Sequence, residues 1–392
     1  MKISIWHNIM WSRYKAAVFS SVYRQANVAD AEVHVYQIAE TDTNRTTLSP
    51  IDLSWHKYPF ELLFKGASSD IPRAKLLSKM ARLTWKDTAD ITILSGYEKP
   101  AVWLQALILT LKRHPFALFC DSTLYDQQQT FLRGLCKRII FNWANGIFCY
   151  GARASEHVIR YGVPTERIFI RCQAAALPKN YGAEEAIRMR MEYAAPVGAP
   201  RYLYVGRLSP EKSLDHLLEA FSEVLRAKPE AKLVFVGSGP SEPDLRTRAA
   251  TLGIEQGVMF AGSKSGPELF EEYAKASCFV LPSHSEPWGL VVNEALSYGC
   301  PVVVSHRCGC VPELIDEGRT GFSFEWGNIR QLSERMKTAP DVFSDVAVTA
   351  RTCLKHIEPY NPDNAAKAIL QGCWMIYDRS RNSRSSLTTR KV

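Results

Sequence analysis

Tyr202-Leu-Tyr-Val-Gly206 is a β-rich run closed by a glycine, and the residues that come after it decide the fold. Arg207 to Ser213 reads as a turn, after which Leu214, Leu217, Leu218 and Phe221 recur at helical spacing to about Lys228. The pattern then returns. Lys232-Leu-Val-Phe-Val-Gly237 is a second strand, turned by Ser238-Gly239-Pro240 and followed by a helix from about Pro243 to Leu252. Val258-Met-Phe-Ala-Gly262 is a third, with a helix over 267–275. Cys278-Phe-Val-Leu-Pro282, Pro301-Val-Val-Val-Ser305 and the short Gly321-Phe-Ser-Phe324 complete the set. Strands that are apolar throughout and alternate with amphipathic helices predict a parallel sheet covered on both faces. This half therefore reads as α/β, a doubly wound Rossmann-like domain.

The front half shows the same alternation less cleanly. Lys2–Trp6, Glu32–Tyr36, Ile91–Leu94, Phe116–Phe119 and Gly146–Cys149 read as strands. Tyr14–Ala26, Pro72–Lys86, Ala101–Arg113, Phe131–Trp143 and Ala152–Tyr161 read as helices. The stretch from Gly182 to Pro200, with its Ala-Ala-Pro-Val-Gly-Ala-Pro run, reads as the linker. Two α/β domains of similar size are expected, at 1–190 and 200–360. Ligands of open α/β sheets sit beyond the carboxyl ends of the strands, so the expected site is the cleft between the two. No period of 20–50 residues recurs, which excludes a solenoid.

Composition agrees with a globular protein, soluble or peripherally attached. The 392 residues are 46% hydrophobic and 22% charged, which excludes disorder, collagen and coiled coil as overall classes. Charge is uneven: residues 1–200 hold 25 Lys and Arg against 17 Asp and Glu, whereas the tail 379–392 holds five basic residues and no acid. No stretch reaches the ~18–20 apolar residues of a membrane span, and Met1 to Asn8 reads as a first strand rather than a leader. With that reading the ten cysteines are reduced thiols of a cytoplasmic protein. Cys308-x-Cys310 near His306 lacks a second pair at zinc spacing, so no metal is expected there.

The chemistry concentrates in Ser283-His-Ser-Glu286-Pro-Trp-Gly289-Leu-Val-Val-Asn-Glu294. Glu286 falls in a strand-to-helix turn, and Trp288, Gly289 and Leu290 open a helix whose first amides suit anions and hydroxyl oxygens. Glu294 falls about two turns later, where an acceptor-only carboxylate suits a pair of sugar hydroxyls. Arg207 and Lys212 come after the first strand of the same domain. One offers a fork and the other a point charge, so they suit a pyrophosphate.

These segments resemble a family. G-R-L-S-P-E-K-S at 206–213, V-F-V-G-S-G-P at 234–240, F-A-G at 260–262, S-E-P-W-G-L-V-V-N-E-A-L at 285–296, G-C-P-V-V-V at 299–304 and V-P-E-L-I-D-E-G-R-T-G-F at 311–322 resemble retaining GT-B glycosyltransferases of family GT4, with its E-x7-E motif. The resemblance is dense over about 201–326 and weak over 1–190. It implies a GT-B fold of two Rossmann-like domains facing across a cleft, with acceptor bound by the first and nucleotide sugar by the second. It also implies that a helix at about Asn361–Tyr377 crosses back onto the first domain, ahead of the basic tail. Arg207 and Lys212 resemble the pair that holds the donor diphosphate, and Glu286 the carboxylate on the donor sugar. Trp288, Gly289 and Leu290 resemble the backbone beside sugar and phosphates, and Glu294 the ribose-binding carboxylate. The Phe260–Lys264 turn, with Lys264, resembles the segment at the nucleobase edge. Gly309, with Val311-Pro-Glu313, resembles the loop that closes over the donor. The implied chemistry is front-side attack, with a donor phosphate oxygen taking the acceptor's proton. No cofactor is implied. No D-x-D occurs in the chain, so a metal clamp is not evident and the two cations can substitute for it.

Two segments depart from the family. Where many members carry a Gly-Gly loop after the first strand, this chain has His7-Asn8-Ile9-Met10-Trp11-Ser12-Arg13-Tyr14. Where many carry a histidine near the fourth strand of the first domain, it has Cys120-Asp121-Ser122. Asp121 reads as a donor or acceptor ligand or as a helix cap, and Arg13 and His7 are weaker candidates. Trp288 reads equally as packing. His284 reads as structural.

The basic surplus has a candidate location. On helix 72–86, Lys75, Lys79, Arg82 and Lys86 form one stripe, and Trp55, Tyr58, Phe60, Leu62, Leu63 and Phe64 just upstream form an apolar patch. A solvated face is the plain reading; contact with an anionic membrane is the one favoured here. No nucleic-acid-binding module accompanies the charge. The expected function is transfer of a hexose from a GDP- or UDP-linked sugar to a lipid-linked or glycan acceptor at the cytoplasmic membrane face. The rivals are a nucleotide-sugar epimerase or isomerase on the same fold and a non-catalytic sugar- or membrane-binding homologue.

Overall fold

In the first strand, Lys2–Ile9, successive residues bury on opposite faces of the first sheet. Ile5 packs with Phe19 and Val22 of the helix Arg13–Val28 and with Ile369 and Ile376 of the helix Pro362–Thr389. Its neighbour Trp6 packs with Leu109, Phe141 and Val158 on the other face. Helices therefore cover both sides, as an all-parallel sheet requires. The computed structural model describes residues 1–43, 51–126, 131–178 and 181–389, with side chains described throughout except at 132 and 383–389. Arg390 to Val392 of the basic tail lie outside them.

The first sheet has seven strands, β1 (Lys2–Ile9), β2 (Glu32–Thr41), β3 (Phe60–Ala67), β4 (Ile91–Leu94), β5 (Phe116–Cys120), β6 (Gly146–Cys149) and β7 (Ile168–Phe169). They pair in the order β3-β2-β1-β4-β5-β6-β7, all parallel. The second has six, β8 (Arg201–Val205), β9 (Lys232–Val236), β10 (Val258–Phe260), β11 (Cys278–Leu281), β12 (Val302–Ser305) and β13 (Gly321–Phe324). Their order, β10-β9-β8-β11-β12-β13, is the doubly wound Rossmann order, again all parallel.

Two units result. The first takes Met1 to Leu124, continues through the helix Phe131–Trp143 to Ala176, and resumes at Asn361. The second takes Leu177 to Tyr360, together with residues 125–126. The C-terminal helix packs on β6 and on Arg13–Val28. A Cβ on Gly146 would come 2.5 Å from Ile376 Cδ1, and Gln25 Nε2 donates to the Asp363 carbonyl at 2.9 Å.

Three expectations need correction. The stretch expected as a linker is largely the helix Ala183–Tyr193, which belongs to the second unit. Its Arg190 is fully buried and donates to the carbonyls of Tyr273, Ala274 and Ala276 at the end of the helix Gly266–Lys275. Carbonyls of a last helical turn lack the next turn's amides, so the arginine satisfies them and ties the two helices together.

The apolar patch upstream of the basic helix is mostly β3, the edge strand, with Tyr58 and Leu63 each only 6% exposed. Its alternation was obscured by flanking aromatics. The basic stripe is also less free than its spacing implied. On the helix Arg73–Lys86, Lys79 donates to the Leu63 carbonyl at 2.9 Å and lies 5.2 Å from the Phe64 ring centroid, covering the strand edge. Among the described residues no helix is long and apolar enough to cross a membrane.

Candidate functional site

The residues singled out in the second half gather at the carboxyl ends of β8 and β11. The turn after β8 carries Arg207 and Lys212, and the turn after β11 carries His284 and Glu286. The His284 amide donates to the Glu211 carbonyl at 3.0 Å, which joins the two turns. Lys212 then donates to the Glu286 carboxylate, with both side chains about 15% exposed. Burial works to lower the Lys212 pKa, but the charge and hydrogen bond of Glu286 outweigh it and hold it above its ordinary value. Arg207 reaches Glu211 at 2.9 Å and stays half-exposed, so its fork still meets solvent. Burial tends to raise the Glu211 carboxyl, but the Ser209 hydroxyl, its own backbone and the two cations hold it below the usual range.

Two glycines shape the Glu286 turn. Gly289 precedes the helix Leu290–Ser297 with φ at 102°, a left-handed conformation that favours glycine. Gly309 allows close approach: a Cβ there would lie 1.8 Å from the Pro287 carbonyl oxygen. The Gly309 and Cys310 amides donate to the Glu286 and Trp288 carbonyls at 2.9 and 3.0 Å. Gly309 thus packs under the turn that presents Glu286. Trp288 is a packing residue, buried with its indole N–H donating to Asn293 at 2.7 Å. Leu290, the first helical residue, is partly buried.

Glu294 sits one helical face away, accepting from the Tyr273 hydroxyl at 3.2 Å. Burial pushes its carboxyl up to about 7, against the lowering effect of that hydrogen bond. Lys264 is paired with the buried Glu272, which also holds Arg201. The Phe260–Lys264 turn still lies beside the Gly237 turn, with Gly237 donating to the Gly262 carbonyl at 2.8 Å. Arg246 stacks over Phe260 at 4.3 Å.

Asp121 and Arg13 belong to the first unit. Asp121 comes directly after β5 and lines a cavity of about 230 Å³ at the carboxyl ends of β1, β4 and β5. Arg13 begins its helix, but Lys15, two residues on, lines the cavity instead. His7 lines it too, its Nδ1 donating to Gln37 Oε1 at 3.1 Å.

Sequence reasoning missed two cations. Arg307 lies 4.2 Å from the Trp326 ring centroid, next to the Cys308 that bridges Glu286, and its buried Nε makes no hydrogen bond among the described residues. Lys15 left a legible signal: it falls on the same face as Phe19 and Val22, a lysine in a core stripe.

Residues 187–340 match the family described as Glycosyl transferases group 1. The sulfoquinovosyl transferase SQD2 of Arabidopsis thaliana is 38% identical over 157 residues, 39% of this chain and 29% of that one. A D-inositol 3-phosphate glycosyltransferase of Corynebacterium efficiens is 34% identical over 177 residues, 43% of this chain and 41% of that one. The chain thus spans well under two thirds of the length of these curated relatives. Over the whole chain the similarity is one of fold. The apo lipopolysaccharide outer core galactosyltransferase WaaB superposes with a TM-score of 0.70 at 18% identity, covering 95% of this chain and 99% of that one. Anabaena Alr3699/HepE, in complex with UDP and glucose, gives 0.67 at 18%, covering 95% and 98%. The chain therefore has the GT-B fold of two Rossmann-like α/β domains, and within it residues 187–340 are similar to group 1 glycosyltransferases.

Proposed function

We propose that the protein is a retaining GT4-type glycosyltransferase that moves a hexose from a nucleotide diphosphate sugar to an acceptor bound by its first unit. The Lys212–Glu286 pair carries this reading, since it couples a cation suited to the diphosphate with a carboxylate suited to the sugar. Arg207 and Lys212 neutralise the diphosphate, Glu286 accepts from the sugar hydroxyls, and Glu294 accepts from the ribose diol. The bond between the anomeric carbon and the diphosphate breaks with its electron pair on the phosphate oxygen. The acceptor oxygen bonds to the same face of that carbon, and its proton passes to a donor phosphate oxygen. Fixed cations that gain interaction as the leaving group gains charge supply the rate enhancement. They also serve where a metal clamp would otherwise stand.

UDP is the favoured base, supported by the fold similarity to a protein crystallised with UDP and glucose, while GDP-mannose remains the alternative. The acceptor is lipid-linked or a glycan in polysaccharide or glycolipid synthesis, met at the cytoplasmic membrane face through the basic first unit. Incubation with radiolabelled UDP-glucose or GDP-mannose and a lipid extract tests this. Label in a lipid-extractable or polymeric product supports transfer. Label found only in an isomerised free nucleotide sugar favours the epimerase reading.

A further inference from the structure

Lys15 is 3% exposed, and its ammonium lies 4.4 and 4.5 Å from the ring centroids of Phe119 and Tyr150. Among the described residues its Nζ makes no hydrogen bond. An unpaired buried ammonium is costly, and burial pulls its pKa down to about 8 against the opposing pull of Asp121. Two further buried polar atoms without partners, Oδ1 of Asn8 and Oγ of Ser95, belong to residues that line the same cavity. Asn8 stands at the end of β1, Lys15 on the helix after it and Ser95 just after β4. Three elements therefore bring unsatisfied groups to one space of about 230 Å³, at the point where the strand order reverses. Buried polar groups are ordinarily paired, and three orphans around one cavity mark a built binding site.

The chemistry of the three restricts the ligand. Lys15 only donates, the Asn8 oxygen only accepts, and the Ser95 hydroxyl does both. An anion would satisfy Lys15 but not the Asn8 oxygen. It would also meet Asp42 and Asp121 on the same wall, which balance Lys15 and Lys99. A ligand hydroxyl accepts from an ammonium with a lone pair while donating its own proton to an amide or carboxylate oxygen. The faces of Phe119 and Tyr150 suit the C–H side of a saturated ring. The volume lies below the ~300–1,000 Å³ of pockets for drug-sized ligands, which fits one ring rather than an oligosaccharide.

We propose that this cavity holds a neutral polyhydroxylated ring of the acceptor, a hexose or a cyclitol, and that Lys15 is the residue that selects it. The proposal rests on the glycosyl-transfer reading above, so its test is built to fail separately. Full-length protein and its Lys15→Met variant are titrated with myo-inositol, glucose, galactose and inorganic phosphate, monitored by ligand-observed NMR, and with UDP and GDP by calorimetry. Methionine preserves the volume, and circular dichroism verifies the fold. At least one ring binds the parent, and Lys15→Met weakens it about tenfold or more, with nucleotide affinity unchanged. Ring binding that survives in Lys15→Met overturns the role of Lys15. Phosphate bound in preference to every ring overturns the ligand class, as does the absence of ring binding at tens of millimolar. Failure of UDP and GDP to bind the parent would count against the transferase reading and leave the ring result standing.

Discussion

The ammonium of Lys212 donates to the carboxylate of Glu286 across 74 residues of sequence, and each is the other's counter-charge in a largely dry turn. Removing either leaves an uncompensated buried charge. Lys212→Met or Glu286→Leu alone is expected to cost about 3 kcal/mol of stability, and the double variant to recover most of it. Transfer is expected to fall at least about 100-fold in all three. Denaturant titration and turnover separate the two effects. Near-normal turnover in either single variant would remove these residues from the donor site.

Glu294 titrates upward, which gives the protein a pH signature. With its carboxyl raised from 4.5 to about 7, the folded state holds a proton that the unfolded chain releases. This contribution to stability is present below pH 4.5 and is lost as pH rises to 7, at a cost of about 3 kcal/mol. Ribose hydroxyls that donate to the carboxylate favour its ionised form. Nucleotide binding near pH 7 is then expected to release a proton and to tighten as pH rises through 7. Calorimetry in buffers of different ionisation enthalpy measures this, and Glu294→Gln should abolish the release.

Lys15 makes the opposite case. Its folded pKa of about 8 lies below the ordinary 10.5, so at neutral pH the fold pays to keep it charged. Stability should rise from pH 8 to 10.5 by about 3 kcal/mol through this group. Lys15→Met should therefore be more stable than the parent at pH 7 and lose that advantage above 10.5. Melting temperatures across the range decide it; a destabilised variant at pH 7 would mean that the charge is compensated.

Gly309→Ala is expected to displace the Glu286 turn, because its methyl carbon would fall 1.8 Å from the Pro287 oxygen. Loss of stability of about 1–3 kcal/mol should accompany a weaker donor affinity. Unchanged affinity for the nucleotide sugar would mean that the turn tolerates the shift.

The basic helix gives a test of membrane contact. Binding to vesicles rich in anionic lipid should weaken as salt rises. Neutralising Lys75 and Arg82 should weaken it further. Lys79 should be left intact in this test, since it also supports β3. Salt-independent binding would leave the stripe a solvated face.

The second sheet was readable almost strand for strand because its strands are short and mostly apolar, with glycine or proline at one end of each. The strand β3 was not, because an edge strand carries exposed Phe60 and Glu61 and mimics an amphipathic surface. The sequence put Lys212 and Glu286 in turns at two strand ends of one sheet, but their ion pair emerges only in the structure. It gave no hint that Lys264 would be held by Glu272, which also holds Arg201, since that network depends on side-chain direction in a turn. The cavity around Lys15 was half-visible: Asp121 and His7 were singled out from strand ends, while the lysine itself hid in a helix that otherwise reads as core.

The last helix fills the face of the first sheet that β1 and β6 present, and Ile376 is among its contacts. A ribosome delivers that helix only after the whole second unit has been made. The part synthesised first is thus the part finished last, and during translation its apolar face waits while Leu177 to Tyr360 are made. That interval is a window in which chaperones or aggregation compete for the nascent chain. A stall before Asn361 would release a chain whose second unit has all its strands and whose first lacks one wall.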